Sequence, residues 1–246
     1  MGIFLEMDYT VDSRDVDLFG LCRPSALMGI LQEAATRASM ALKVSGPEVR
    51  EKYNALWMIN RIWVELEAPI RWNDTLHIKT WHRGGSVASS YRDFDLYRDG
   101  RKIGQAVTGW VLVEADSHRL LRMKDVAEMQ GTDGGELLKT VRLHRAPQPG
   151  VWEASAPREM RYSDTDINGH INNAHYADFA CDALHLERAL AGKFVRELQF
   201  DYTGECMAGE TVRIDTAAEG DRLFARGEGE DGTARFDCVL TLEPLK

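Results

Sequence analysis

The two halves of the chain share one seven-residue pattern, and this internal repeat limits the possible folds more than any other feature. Residues 15–21, DVDLFGL, align without a gap on residues 164–170, DTDINGH. In both halves the pattern is followed by apolar residues at helical spacing and then by a series of alternating segments. The sequence therefore predicts two tandem copies of one unit, each about half of the chain.

A long helix opens the first copy. From residue 24 to residue 42 apolar residues recur at helical spacing, with Pro24 at the start and Gly46 shortly beyond the end. Period-two alternation then predicts strands, and Asp99-Gly100 predicts a tight turn between two of them. The predicted strands of this copy are 6–15, 61–67, 75–81, 90–98, 104–113 and a short piece at 118–122.

The second copy repeats this order after a break rich in Gly and Pro. We predict a strand near Met160, a helix from about 172 to 190, and strands at 195–202, 211–216, 222–226 and 234–242. The break itself predicts a linker with a short helix near Val126. The expected division is a first domain at 1–126, a linker at 127–156 and a second domain at 157–246.

Composition excludes several classes of partner. A formal net charge of -9 argues against nucleic acid and against an anionic membrane. Neither a signal peptide nor a spanning helix is evident, so we expect a cytoplasmic protein. The four cysteines are scattered without CxxC spacing, which predicts free thiols in a reducing compartment and argues against a zinc site.

Polar side chains distinguish the second copy of the pattern from the first. Asp166, Asn168 and His170 stand at alternate positions, so an extended segment would point all three to one side. Asn172 can cap the following helix, whose first N–H groups would then favour a developing negative charge. The first copy has Phe19 and Leu21 where the second has Asn168 and His170. We therefore expect one catalytic copy and one scaffold or substrate-cradling copy.

A second aligned pair strengthens the repeat: Pro69-Ile70 lies over Glu205-Cys206. With this pair, the motif residues of the second copy are 166–173 with Tyr176, and Gly204-Glu205-Cys206. The first copy contributes further residues to the likeness described next, namely Gln32, the segment 61–72, Thr80, Trp81, Arg92 and Trp110. Through these residues the chain resembles, over about 5–245, the acyl-acyl carrier protein thioesterases of plant plastids and bacteria. The predicted elements resemble the α+β double hotdog fold, which has two tandem copies, each with a long helix wrapped by a curved antiparallel sheet.

The resemblance implies a function. The expected reaction is hydrolysis of the thioester between a fatty acyl chain and the phosphopantetheine arm of acyl carrier protein, which releases free fatty acid and ends chain elongation. No metal or cofactor is implied. Because the chain begins almost at its first strand, without a transit segment, we expect a bacterial form. The catalytic residues carried over are Asp166, Asn168, His170, Glu205 and Cys206.

Two catalytic schemes fit these residues. In one, Cys206 attacks the thioester, His170 takes its proton and Asn168 orients the imidazole. In the other, Glu205 deprotonates a water while Asn168, His170 and the helix start stabilise the oxyanion. On a regular strand Glu205 and Cys206 face opposite sides, so only one reaches the site. We favour Glu205 and water, because a buried cysteine is more often an inert apolar residue.

The resemblance also suggests residues for substrate binding. The family places the acyl chain within the first hotdog, where Met28, Leu31, Trp57 and Met58 are candidate tunnel residues, with core packing an equal alternative. Asn172 would contribute through the helix start. A basic cluster could dock the acidic carrier, and scattered solvated charge is the alternative reading. The cluster consists of Arg119, Arg122, Lys124, Lys139, Arg142 and Arg145.

Other readings stay open. The chain could act on acyl-CoA, or be a hotdog dehydratase or hydratase, or be a non-catalytic acyl-binding protein. Two hotdogs in one chain permit a monomer, and further dimerisation to a homodimer is common in such folds. Polar residues also share part of the second helix, and we read them as a polar face rather than as metal ligands. They are His175, Asp178, Asp182 and His185.

Overall fold

The computed structural model describes residues 4–85, 87–129 and 143–246. Within these limits the chain divides into two compact units, and neither unit is continuous in sequence. Of the described residues, the first unit contains 4–10, 29–62, 74–85, 87–129 and 143, and the second contains 11–28, 63–73 and 144–246. Both aligned loops of the internal repeat therefore belong to the second unit.

The first unit is built around α1, whose residues from 29 onward belong to it, and a five-stranded sheet. The sheet order is β1-β3-β4-β5-β2, with antiparallel pairing of β1 with β3, β3 with β4, and β4 with β5. The elements are β1 (Phe4–Thr10), α1 (Pro24–Ala41), α2 (Gly46–Tyr53), β2 (Ala55–Leu66), β3 (Thr75–Gly85), β4 (Ser90–Arg98) and β5 (Arg101–Glu114).

The second unit repeats the plan with shorter helices. Its sheet runs β7-β10-β9-β8-β6, and these neighbours pair antiparallel. The elements are β6 (Ala154–Glu159), α3 (His175–Ala183), α4 (Leu186–Ala189), β7 (Lys193–Tyr202), β8 (Thr211–Glu219), β9 (Arg222–Gly229) and β10 (Ala234–Pro244). A short 3-10 helix, Tyr162–Asp164, stands between β6 and the aligned loop.

Alternation along the strands explains the core. In β10 the side chains of Phe236, Cys238 and Leu240 are buried at every second position, as the sequence predicts. In α1 the buried residues follow the predicted helical stripe, which includes Leu31 and Ala34. The α+β double hotdog prediction is confirmed.

Three local predictions are wrong, and one helix was not predicted. The loop 166–170 is a tight turn rather than an extended segment. The second helix is not continuous from 172 to 190, because His185 adopts a left-handed backbone with φ of 51° between α3 and α4. Residues 118–122 contribute only an isolated bridge from Leu120 to Val113. Helix α2 was not predicted, although Ser45 and Glu48 form a capping box at its start.

Some predictions fall outside the described residues. These are the glycine-rich part of the linker at 130–142, and with it Lys139 and Arg142 of the basic cluster. Near Val126, two 3-10 helices, Met123–Asp125 and Ala127–Met129, stand where a short helix was predicted. Among the described helices, none combines the length and the apolar character needed to cross a membrane.

Candidate active site

The second aligned loop, residues 164–172, is shaped by main-chain hydrogen bonds. The Asp166 N–H donates to the His170 carbonyl (2.8 Å), and the Asn172 N–H donates to the Asp164 carbonyl (2.8 Å). The Ile171 N–H donates to the carbonyl of Cys206 (3.0 Å), which fastens the loop to the segment after β7. The turn closes through Gly169, whose φ of 81° is a conformation that favours glycine.

The two aspartates of the loop satisfy backbone amides. Asp164, the last residue of the 3-10 helix Tyr162–Asp164, accepts the Arg161 N–H at 2.8 Å in a capping box at the start of that helix. Asp166 accepts the Asn168 N–H at 2.8 Å and the Asn168 side-chain amide at 3.3 Å. Asn168 itself is exposed. The loop therefore presents the Asn168 amide to solvent in an orientation that Asp166 fixes.

His170 and Glu205 form the centre of the site. The His170 Nδ1 lies 3.1 Å from the Glu205 Oε1, and the two side chains are 26% and 29% exposed. Glu205 belongs to the connection after β7 rather than to a regular strand. The chain passes close to β10 here, because a Cβ at Gly204 would lie 3.3 Å from the Ala234 carbonyl oxygen. A carboxylate in contact with an imidazole is an arrangement that general acid–base catalysis can use.

Cys206, the residue after Glu205, lies in a different environment. It is fully buried, and burial, the largest influence, raises the pKa of its thiol, although a hydrogen bond with Tyr176 acts in the opposite direction. Glu205, by contrast, is 29% exposed and contacts His170, so the two neighbouring side chains differ in environment although the segment is not a regular strand. A buried thiol with a raised pKa is a poor source of thiolate.

Asn172 caps the turn that leads into α3. Its side-chain oxygen accepts the Ala174 N–H at 2.9 Å, and its carbonyl accepts the His175 N–H at 3.0 Å. The prediction that Asn172 caps the second helix is wrong: the helix begins at His175 with Ala174 at its N-cap position, and Asn172 closes the turn before it. These two amides are already bonded, so they are not donors for an oxyanion.

The structure places the predicted acyl-contacting residues in different environments. Met28 and Leu31 are fully buried in the core. Trp57 is half-buried and donates its ring N–H to the Val44 carbonyl at 2.7 Å, while Met58 is also half-buried. Packing accounts for Met28 and Leu31, and the two half-buried residues keep some accessible surface.

The described residues of the basic cluster are exposed and partly neutralised. The Arg119 guanidinium lies 3.7 Å from Glu114, and that of Arg122 lies 3.4 Å from Asp125. Lys124 and Arg145 are exposed as well. The acidic neighbours reduce the positive potential that this cluster offers to an acidic partner.

Two family models match the chain in tandem. The model described as the acyl-ACP thioesterase N-terminal domain matches residues 2–129, and the C-terminal domain model of the same family matches residues 153–238. The chain belongs to the acyl-ACP thioesterase family. The loop with His170 and the segment with Glu205 both lie within the region that the C-terminal model of this thioesterase family matches.

Similar proteins of the acyl-ACP thioesterase family come from plants. The chain is 23% identical to the oleoyl-acyl carrier protein thioesterase of Coriandrum sativum, over 89% of this chain and 64% of the relative. It is 23% identical to the dodecanoyl-[acyl-carrier-protein] hydrolase of Umbellularia californica, over 89% of this chain and 58% of the relative. The chain spans about half to two thirds of the length of the curated relatives it matches.

Solved structures of acyl-ACP thioesterases share the fold. An acyl-ACP thioesterase from Bacteroides thetaiotaomicron superposes with a TM-score of 0.84 at 19% identity, covering 98% of both chains. The 12:0-ACP thioesterase from Umbellularia californica gives a TM-score of 0.87 at 17% identity, covering 100% of this chain and 99% of that one. At these identities the likeness concerns the fold.

Sequence reasoning missed Arg158. Its guanidinium lies 3.5 Å from Asp164, 3.9 Å from Asp182 and 4.5 Å from the centre of the Phe179 ring. It therefore joins β6, the aligned loop and α3. No spacing in the sequence indicates this role, because the partners come from three separate elements.

Proposed function

We propose that this chain hydrolyses the thioester of a fatty acyl chain carried by acyl carrier protein and releases the free fatty acid. The observation that carries the proposal is the contact between His170, on the aligned loop of the second copy, and Glu205, in the connection after β7. Membership of the acyl-ACP thioesterase family supports the substrate class. The first copy has Leu21 and Pro69 at the equivalent positions, which have no acid–base chemistry.

The proposed reaction uses a water as nucleophile. Glu205 holds the Nδ1–H of neutral His170, which leaves Nε2 as the basic position. Nε2 takes a proton from the water as the water oxygen forms a bond to the thioester carbon, and Glu205 stabilises the imidazolium that results. In this scheme His170 and Glu205 together deprotonate the water, whereas in the scheme predicted from the sequence Glu205 did so alone.

The second half of the reaction breaks the carbon–sulfur bond. The tetrahedral intermediate collapses, the acyl carbon keeps the new oxygen, and the sulfur leaves and takes the proton from the His170 imidazolium. The exposed Asn168 amide, fixed by Asp166, is the proposed donor to the thioester oxygen. The N–H groups of Ala174 and His175, which donate to Asn172, have no part in binding the thioester oxygen.

The attacking group is proposed to be water rather than Cys206. Direct attack by sulfur requires a thiolate within reach of the substrate. Cys206 is fully buried, which keeps its sulfur from the substrate, and the burial raises the pKa of its thiol, which disfavours the thiolate. Its contact with Tyr176 gives it a packing role in the second unit instead.

Further assignments belong to the same proposal. Residues 1–126 would cradle the acyl chain, residues 157–246 would carry the catalysis, and 127–156 would link them. Trp57 and Met58, which are half-buried, are better placed to touch an acyl chain than the fully buried Met28 and Leu31. Acyl carrier protein is the proposed partner.

The test is release of free thiol from a panel of acyl carrier proteins loaded with chains of different length. We expect turnover with at least one chain length, and a loss of about 10²–10⁴-fold in Glu205→Ala if the pair acts in acid–base catalysis. The matched control is Glu187→Ala, which removes an exposed carboxylate that also contacts a histidine, and its turnover should stay unchanged.

The same acyl groups on coenzyme A test the carrier. Equal or faster hydrolysis of acyl-CoA would refute acyl carrier protein as the preferred carrier. Formation of an enoyl product without thiol release would replace hydrolysis by a dehydratase reaction.

A further inference from the structure

Asp178, on α3, joins two side chains that are far apart in sequence. The Ser25 hydroxyl donates to the Asp178 Oδ1 at 2.5 Å, and the His175 Nδ1 lies 3.1 Å from the Asp178 Oδ2. Ser25 is buried at the start of α1, and His175 is the first residue of α3. All three residues belong to the second unit. The carboxylate therefore connects the start of one helix to the start of the other.

The environment favours charge on both members of the histidine–aspartate pair. Burial acts to raise the pKa of Asp178, but hydrogen bonds from His175 and Ser25 and the charges of His175 and Arg23 lower it overall. The hydrogen bond with Asp178 raises the pKa of His175, and burial opposes that change. Asp164 and Arg158 also face His175.

The pair is attached to the candidate active site through the main chain. The His175 N–H donates to the Asn172 carbonyl, and the Asn172 N–H donates to the Asp164 carbonyl at 2.8 Å. Two residues before Asn172 stands His170, which contacts Glu205. A shift of His175 would thus be passed directly to the turn that carries His170.

The first copy lacks this arrangement. When the gapless alignment of 15–21 with 164–170 is continued, His175 falls over Ala26 and Asp178 over Gly29. Neither residue offers a side-chain hydrogen bond. The pair occurs only in the copy that also carries Asn168 and His170, which ties it to chemistry rather than to the shared fold.

We propose that Asp178, bonded to Ser25 and His175, is a positioning residue that fixes the turn 172–175 and thereby holds His170 against Glu205. This inference rests on the proposed function for its catalytic consequence. The holding of the turn itself is a property of the folded chain and can be measured without substrate.

The activity test uses Asp178→Asn and His175→Gln. We expect kcat to fall about tenfold in each while KM stays within about twofold, because the turn loosens without losing a group that touches substrate. Ser25→Ala should lower kcat about threefold, and Ser25→Thr should restore it. The matched control is His185→Gln, which removes an exposed histidine that contacts Glu187 on α4.

The pH profile separates positioning from a general loss of structure. A raised pKa means that the His175 contribution is fully present below its ordinary value and is lost as pH rises through the folded value. In the wild-type chain kcat should therefore carry a falling alkaline limb that is absent in His175→Gln. An identical profile in both proteins would overturn the proposal.

Amide hydrogen exchange provides a readout without substrate. Exchange at Ala174 and His175, whose amides bond to Asn172, should rise about tenfold in Asp178→Asn and stay unchanged in His185→Gln. If the wild-type chain hydrolyses no acyl carrier protein thioester, the proposed function fails while this measurement still decides the positioning role. Unchanged exchange at both amides in Asp178→Asn would overturn it.

Discussion

The two aligned loops of the second unit have the same main-chain bonds and different side chains. In each, the aspartate N–H donates to the carbonyl four residues later at 2.8 Å, and the loop is fastened to a distant carbonyl at 2.8 Å in the first copy and 3.0 Å in the second. In the first copy the Asp17 N–H donates to the Leu21 carbonyl and the Cys22 N–H to the Ile70 carbonyl. In the second copy the Asp166 N–H donates to the His170 carbonyl and the Ile171 N–H to the Cys206 carbonyl.

The comparison separates what the fold requires from what chemistry requires. Asp17 accepts the amides of Phe19 and Leu21, much as Asp166 accepts those of Asn168. The aspartate and the glycine are therefore needed to form the turn in either copy. The side chains of His170 and Glu205 take no part in the main-chain bonds that the two copies share, and this difference supports the catalytic role proposed for them.

The largest effect is expected from giving the second loop the side chain of the first. His170→Leu should lower kcat by about 10²–10⁴-fold because it removes the proton acceptor. The loop should keep its shape, since Leu21 occupies the same backbone in the first copy. Thiol release and thermal unfolding measure the two effects; an inactive variant that also unfolds at much lower temperature would contradict the separation.

A second experiment compares the buried residues that fasten the two loops. Ile70→Ala should lower the free energy of unfolding by about 2–5 kcal/mol, because it removes fully buried methyl groups. Cys206→Ala removes a single buried sulfur and should cost about 1 kcal/mol, with kcat nearly unchanged. Urea denaturation and thiol release check both; a folded Cys206→Ala without turnover would restore sulfur as the nucleophile.

The smallest expected effect concerns the two turn-forming aspartates. Asp17→Ala and Asp166→Ala should each lower the free energy of unfolding by about 1–2 kcal/mol, because each carboxylate accepts bonds from its own turn. Only Asp166→Ala should also lower kcat, by about tenfold, since it frees Asn168. Equal losses of activity in the two variants would show that the loops are not divided as proposed.

Much of the fold could be predicted from the sequence. The register of the repeat follows from DVDLFGL and DTDINGH, and the strands follow from alternation. The left-handed residue at His185 could not be predicted, because Leu184 to Ala189 are compatible with an uninterrupted helix. Helix α2 could have been found from Ser45 and Glu48, which form a capping box.

The site was predictable in composition but not in geometry. The sequence indicates His170 and Glu205, but their contact depends on a bend at Gly204 that period-two alternation does not describe. The bond between Ser25 and Asp178 spans 153 positions, and no local pattern connects residues so far apart.

The main-chain bonding of the loops bears on how such a chain can change over generations. Because the turn depends on an aspartate, a glycine and backbone carbonyls, we expect that the proposed catalytic side chains can be replaced without loss of the fold. At the positions of the proposed catalytic residues Asn168, His170 and Glu205, the first copy has Phe19, Leu21 and Pro69. A duplicated domain of this kind can therefore lose one active site by drift while its scaffold stays under selection for stability.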